Sequence, residues 1–269
     1  MLIKSTLDKV ANRLDVFSSD KYELFEPTEK DTFLVSYPRS GNTWLRAIIC
    51  EILYQTSARS IEELQYYVPD IHINTFKKDV INSDFNAIKS HFPCLINQKK
   101  IKKYQKIIYI IRDPRDVVIS YYRYLFGRNS YHSDFETFLL DWLNGRIWPC
   151  SWQEHINSWI GDSSNKRDFD LQIFRYEELI SNTENQIKNL AQMLGCSINI
   201  QRAKEITKST SREQMHLKEK QGMPKHERVE SMQFIGSPTS KQWKTKLTNS
   251  QSDLIVEYFG RTMKQHGYI

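Results

Sequence analysis

The chain has 269 residues, 39% of them hydrophobic, enough to bury the core of one sizeable domain, and it carries a net charge of +6. That charge suits an acidic ligand, but Lys and Arg are scattered, without the dense basic block of a nucleic-acid patch, so neither nucleic acid nor a membrane surface is expected as a partner. No stretch approaches the roughly 18 apolar residues of a membrane span, and no apolar leader core opens the chain. Cys50, Cys94, Cys150 and Cys196 lie far apart without metal-ligand spacing. Reduced thiols, a cytoplasmic setting and no metal are the expectations.

Taken in order, residues 1–30 read as a lead-in with a weakly amphipathic helix through Leu7, Val10, Leu14 and Val16. The organising stretch is Thr32–Arg46. Phe33, Leu34 and Val35 suit a buried strand, the chain breaks at Pro38, and from about Asn42 to Tyr54 apolar residues recur at helical spacing. A strand, a tight loop and a fresh helix N-terminus form an anion site, because the first N–H groups of a helix lack partners and its dipole favours negative charge. Arg39, Ser40, Asn42 and Thr43 add donors around it. A nucleotide-triphosphate loop would need G-x-x-x-x-G-K-[ST], yet Tyr37 stands six before Thr43 and Asn42 takes the place of the lysine.

Residues 58–85 read as irregular, with Tyr66 and Tyr67 as a candidate flap beside a ligand. Ala87–Ser90 reads as a strand ending in Lys89-Ser90-His91, with the histidine where open parallel sheets place ligands. Lys106–Ile111 is the clearest buried strand, and a helix should follow from Pro114 with Asp113 as N-cap. Arg112 and Arg115 either bind an anion or pair with the neighbouring aspartates. Residues 121–160 are rich in aromatics at helical spacing, which marks them first as core; those from Tyr121 to Tyr131 are the candidates for a loop lining an acceptor pocket, and His132 and His155 read as structural. A strand over Asp170–Phe174 leads to a helix ending near Leu194, with Gly195 just past it. Residues 216–242 have the composition of a mobile basic lid, and about Asn249–Lys264 forms a closing helix.

Pro38-Arg39-Ser40-Gly41-Asn42-Thr43-Trp44 resembles the 5'-phosphosulfate loop, P-K-S-G-T-T-W, of the sulfotransferases that use 3'-phosphoadenosine 5'-phosphosulfate. Five further motifs resemble the same family in the same order. Lys89-Ser90-His91-Phe92-Pro93 matches K-T-H followed by an apolar residue and proline, whose histidine is the catalytic base. Arg112 and Ser120, eight residues apart, match its 3'-phosphate pair. Cys150-Ser151-Trp152 stands for G-S-W after a phenylalanine-rich helix. Arg175-Tyr176-Glu177-Glu178-Leu179 matches R-Y-E-D-L, whose tyrosine touches adenine, and Thr210-Ser211-Arg212 with Met215 matches T-S-F-x-x-M. The closing R-K-G-x-x-G-D-W is reduced to Gly236 and Trp243, with Lys241 or Arg228 as stand-ins for the missing Arg-Lys pair. The family's C-terminal dimer motif is not visible, which leaves the oligomeric state open.

The resemblance implies one sulfotransferase domain over 1–269, a three-layer α/β/α fold with a central parallel sheet of about five strands, and a P-loop-like nucleotide site. It implies His91 as base, Arg39 at the leaving phosphate and Lys89 at the transferring group. Ser40, Gly41, Asn42, Thr43 and Trp44 would hold the 5' side of the nucleotide, with Arg112, Ser120, Tyr176, Thr210, Ser211, Arg212, Gly236 and Lys241 around the rest. The acceptor would be a small molecule with a hydroxyl or amine in an aromatic-lined pocket. A nucleotide kinase, which shares the fold, and a nucleotide binder without turnover are the alternatives.

Overall fold

The computed structural model describes residues 31–72, 87–94, 106–161, 169–223 and 240–269. Among them four strands form one parallel sheet in the order β2-β1-β3-β4: β1 Thr32–Ser36, β2 Ala87–Ser90, β3 Lys106–Ile111 and β4 Asp170–Arg175. That is one strand fewer than the sequence suggests. The helices are α1 Asn42–Tyr54, α2 Leu64–Tyr67, α3 Pro114–Gly127, α4 Phe135–Leu143, α5 Trp152–Ile160, α6 Tyr176–Ser181, α7 Thr183–Met193, α8 Ile200–Ser209, α9 Arg212–Gln221, α10 Trp243–Lys246 and α11 Asn249–Gln265. None is long and apolar enough to cross a membrane.

Strand periodicity makes the three layers. Side chains alternate across a strand, so Leu34, Ile108 and Ile110 face one side while Phe33, Val35, Ile107, Tyr109 and Ile111 face the other. On the first side they meet Leu45, Ile48, Ile49 and Ile52 of α1 together with residues of α6, α7 and α8. On the second they meet Val117, Val118 and Tyr121 of α3, the aromatics of α4 and α5, and Ile255, Phe259 and Met263 of α11. Both faces of the sheet are therefore covered, as an all-parallel sheet requires.

The chain turns from β1 into α1 on one face and from β3 into α3 on the opposite face. Adjacent strands whose connections leave to opposite sides open a crevice at their carboxyl ends, where such sheets bind ligands. The loops that carry Arg39–Gly41 and Arg112 sit at that crevice.

Several sequence expectations need correction. Residues 64–67 form a short helix, where Tyr67 packs on Tyr54 and Tyr66 on Tyr67, away from the ligand crevice. Tyr121 to Gly127 continue helix α3 and are not a loop, because the helical spacing from Val117 onward carries through them. The helix expected to reach Leu194 is two helices meeting at Asn182. Residues 216–221 belong to α9, which Ser211 caps by accepting from the Gln214 N–H, so they are not lid loop. The lead-in helix of residues 1–30, Arg228 and Gly236 fall outside the described residues.

Candidate active site

Gly41 closes the β1–α1 turn at φ 103°, in the left-handed region that L side chains rarely adopt. A Cβ there would stand 2.5 Å from Cδ2 of Tyr176. Glycine is thus required twice, by the turn and by the close approach of α6. Directly after it, α1 begins with Asn42 and Thr43, and no side chain caps its free N–H groups. Arg39, also at positive φ (68°), projects from the same turn. Its Nε donates to Ser120 Oγ at 3.2 Å, and its guanidinium lies 4.7 Å from the centre of the Tyr124 ring.

These groups line one cavity of about 630 Å³. The turn and α1 contribute Arg39, Gly41, Asn42, Thr43 and Trp44; the end of β3 and α3 contribute Arg112 and Ser120. Tyr176, Thr210, Ser211 and Arg212 close one end, and Lys89 and His91 stand toward the other. Segments that are distant in sequence are held together by specific bonds. Trp44 Nε1 donates to the Thr210 carbonyl at 2.9 Å and meets Tyr176 edge-on, which ties α1 to the α8–α9 corner and α6.

Two of the expected residues do not line the cavity. Ser40 is fully buried behind the turn. Lys241 is exposed; its N–H is held by Asp116 Oδ2 at 2.7 Å, and its neighbour Gln242 is the residue that reaches the cavity.

Arg112 and Arg115 separate cleanly. Arg115 is a buried structural residue, bidentate to Asp113 at 2.9 and 2.7 Å and bonded to the Tyr268 carbonyl. Arg112 lies over Tyr176, 4.2 Å from the ring centre, and donates from Nη1 to the Arg39 carbonyl. Its Nε is buried without a hydrogen-bond partner among the described residues, as are Ser40 Oγ and Asn42 Oδ1. The unmet Arg112 N–H beside the uncapped N–H groups of α1 makes an anion cradle that the protein itself leaves incomplete.

The other end centres on His91. Its Nδ1 is 2.7 Å from the Ser36 carbonyl, and a carbonyl only accepts, so Nδ1 carries the proton. Nε2 is left as the basic atom. Burial, then the Lys89 ammonium and His72, hold the His91 pKa well below the usual imidazole value, so the ring is neutral at neutral pH. His155 fixes the backbone at this point: its Nε2 donates to the His91 carbonyl at 3.0 Å while Tyr109 Oη–H donates to its Nδ1 at 2.7 Å. His155 is buried and structural, as its sequence context suggests.

Sequence reasoning passed over Asp70 and His72. The Pro69–Ile71 segment extends the sheet beside β2: Lys89 N–H donates to the Pro69 carbonyl, and Ile71 N–H to the Lys89 carbonyl. The bridge pairs Asp70 with Lys89, and period-two alternation then sets His72 beside His91. Asp70 holds the buried Lys89 ammonium at 2.5 Å, so Lys89 lines the cavity with its charge already engaged. His72 Nε2 accepts from the His91 N–H at 2.8 Å. The signal was the shared spacing, Asp-x-His after Pro69 against Lys-x-His at β2.

Of the aromatics from Tyr121 to Tyr131, Tyr121 and Tyr124 line the cavity, together with Trp148. Tyr122 and Tyr131 turn instead toward Phe138 of α4. Tyr121 Oη donates to the Trp148 carbonyl at 2.6 Å, and burial keeps its hydroxyl protonated. Among the described residues no cluster of His, Cys, Asp and Glu is arranged to hold a metal ion.

Comparison with known proteins gives a consistent result. The sulfotransferase domain family matches residues 29–267. An amine sulfotransferase of Oryctolagus cuniculus is 24% identical over 93% of this chain and 86% of its own length. Sulfotransferase 1E1 of Bos taurus is 30% identical over 72% of this chain and 68% of its own. Among solved structures, mouse sulfotransferase SULT7A1 complexed with PAP superposes with a TM-score of 0.70 at 25% identity, covering 91% of this chain and 88% of that one. Retinol dehydratase in complex with androsterone and PAP gives 0.70 at 14% identity, covering 91% and 83%, which speaks for the fold alone.

Proposed function

The chain belongs to the sulfotransferase domain family, and we propose that it moves the sulfuryl group of 3'-phosphoadenosine 5'-phosphosulfate, in line, to a hydroxyl or amine of a small-molecule acceptor. The observation that carries this reading is one cavity with an incomplete anion cradle at one end and a neutral histidine at the other. The co-substrate supplies an activated sulfuryl group on a phosphate leaving group. The protein's tasks are to hold the nucleotide, take a proton from the acceptor, and balance charge as it grows on the leaving phosphate.

In this reading the α1 N–H groups with Gly41, Asn42 and Thr43 hold the 5'-phosphate, and Ser40 supports the turn from behind. Trp44 and Tyr176 flank the adenine side, with Thr210, Ser211 and Arg212 at its edge. Arg112 and Ser120 receive the 3'-phosphate, for which a guanidinium fork and a hydroxyl are well matched. His91 Nε2 accepts the acceptor's proton, a role worth about 10²–10⁴-fold in rate. Arg39 stabilises the leaving phosphate by charge and does not donate a proton, since a guanidinium stays charged below about pH 12. Lys89, held in place by Asp70, contacts the transferring group. Tyr121, Tyr124 and Trp148 are the walls an acceptor would meet, and residues 29–267 act as a single domain.

The test is transfer of labelled sulfur from 3'-phosphoadenosine 5'-phosphosulfate to phenol, alcohol and amine acceptors, with His91→Ala as control. Product formed by wild type and lost in the variant supports the reading. Equal product from both removes His91 from the mechanism, and nucleotide binding without product on any acceptor class favours a binder.

A further inference from the structure

The nucleotide proposed above has two separate anionic groups, whereas the sequence lacks an Arg-Lys pair where the family motif would close over the second. Helix α3 shows what stands in that region. Asp116, Ser120 and Arg123 follow at i, i+4 and i+7 and so share one face, and all three line the cavity. Asp116 occupies the first turn of that face and accepts from the N–H groups of Lys241 and Trp243 at 2.7 and 3.0 Å, which pins the 240–243 segment against it. Gln242, between those two residues, reaches the cavity.

Among the described residues, two neighbouring cations do not line the cavity. Arg115 is locked to Asp113, and its guanidinium stacks 3.7 Å from the centre of the Trp243 ring. Lys241 is exposed and off the cavity. Arg123, one turn beyond Ser120, makes no hydrogen bond or ion pair among the described residues, yet lines the cavity at its rim. A guanidinium there can fold over an anion resting on Ser120 and Arg112, with its fork matched to two phosphate oxygens.

We propose that Arg123 is a nucleotide-binding residue that clamps the 3'-phosphate from the α3 side, in place of cations from the lid. The inference rests on the nucleotide reading given above. It assigns discrimination between a 3',5'-bisphosphate and a 5'-monophosphate to α3, with Arg123 opposite Arg112 across the phosphate.

Calorimetric titration of the full chain with adenosine 3',5'-bisphosphate and with adenosine 5'-monophosphate tests it, for wild type, Arg123→Ala and Arg123→Lys. Arg123 is exposed, so both variants should fold, which a thermal melt checks. The expected result is a loss of about tenfold or more in bisphosphate affinity for Arg123→Ala, from one charge-assisted contact, with the monophosphate changed by less than about twofold. Arg123→Lys should recover part of the loss. If wild type prefers the bisphosphate and Arg123→Ala keeps that preference, this inference is overturned while the nucleotide reading stands. A wild type that binds both nucleotides equally overturns the two together.

Discussion

The part of the cavity proposed for the 5'-phosphate is built from backbone and from residues adjacent in sequence, with Arg39 and Gly41 to Trp44 contained in one turn and the start of α1. The end proposed for the acceptor is gathered from four separate segments, with His72, His91, Tyr124 and Trp148 each arriving on a different one. The 5'-phosphate part therefore depends on local geometry: Gly41 at φ 103° beside Tyr176, and uncapped helix N–H groups suited to an anion. The acceptor end depends on a buried network in which Ser36, His72, His91, Tyr109 and His155 each fix a neighbour. Binding and chemistry should accordingly be separable by substitution.

The largest separation should come from His91→Ala. It should lower kcat by about 10²–10⁴-fold while leaving bisphosphate affinity unchanged. Loss of nucleotide binding in step with kcat would show that the two ends are coupled. Asp70→Asn probes the acceptor end through stability, because it leaves the Lys89 ammonium buried without its carboxylate. Chemical denaturation should show a loss of about 3–5 kcal/mol, with much of it restored in the Asp70→Asn/Lys89→Met double variant. If the single variant is as stable as wild type, the pair is not a structural tie. At the nucleotide end, Gly41→Ala sets a Cβ against Tyr176 in a strained conformation costing about 1–3 kcal/mol. Titration should show weaker bisphosphate binding by about tenfold or more, with the His91 environment unchanged by NMR. Full affinity would mean that the turn is not tightly specified.

The smallest effect per group is on pH. Burial lowers the pKa of His72 and of His155 to about 3, and holds that of His91 well below its usual value. In the unfolded chain these rings take up protons near pH 6.5, so below that pH the unfolded state binds more protons and stability falls. The contribution is complete above about pH 6.5 and drains away as pH drops toward the folded values, by up to about 1.4 kcal/mol per histidine per pH unit. Denaturation midpoints measured from pH 7.5 to 5 should fall accordingly, and by less in His72→Phe. The acid limb of kcat should lie below pH 6.5, since His91 must be neutral to accept a proton. An acid limb at or above pH 6.5 would assign the base elsewhere.

The same contrast explains what could be read from the amino-acid sequence. β1, β2, β3, α1 and the N-cap of α3 were legible because each is a contiguous apolar run or a capping pattern, and the residues proposed for the 5'-phosphate travel with β1 and α1. Asp70 and His72 were not, because their role exists only once Pro69–Ile71 lies alongside β2, a pairing between chain segments that local pattern does not encode. The division of labour between Arg112 and Arg115 was equally hidden. Three positions apart, they differ in that Asp113 and the Tyr268 carbonyl claim one and Tyr176 supports the other. Tyr66 and Tyr67 misled because an aromatic pair on a short helix packs on its neighbours as readily as on a ligand.

The central claim is that one cavity binds a 3',5'-bisphosphate nucleotide at one end and holds the catalytic base at the other. Calorimetric titration with 3'-phosphoadenosine 5'-phosphate beside ATP, for wild type and His91→Ala, tests it most directly. The account predicts tight bisphosphate binding of equal strength in both proteins, with ATP much weaker in each. A preference for ATP with Mg²⁺, or no bisphosphate binding at all, would contradict it.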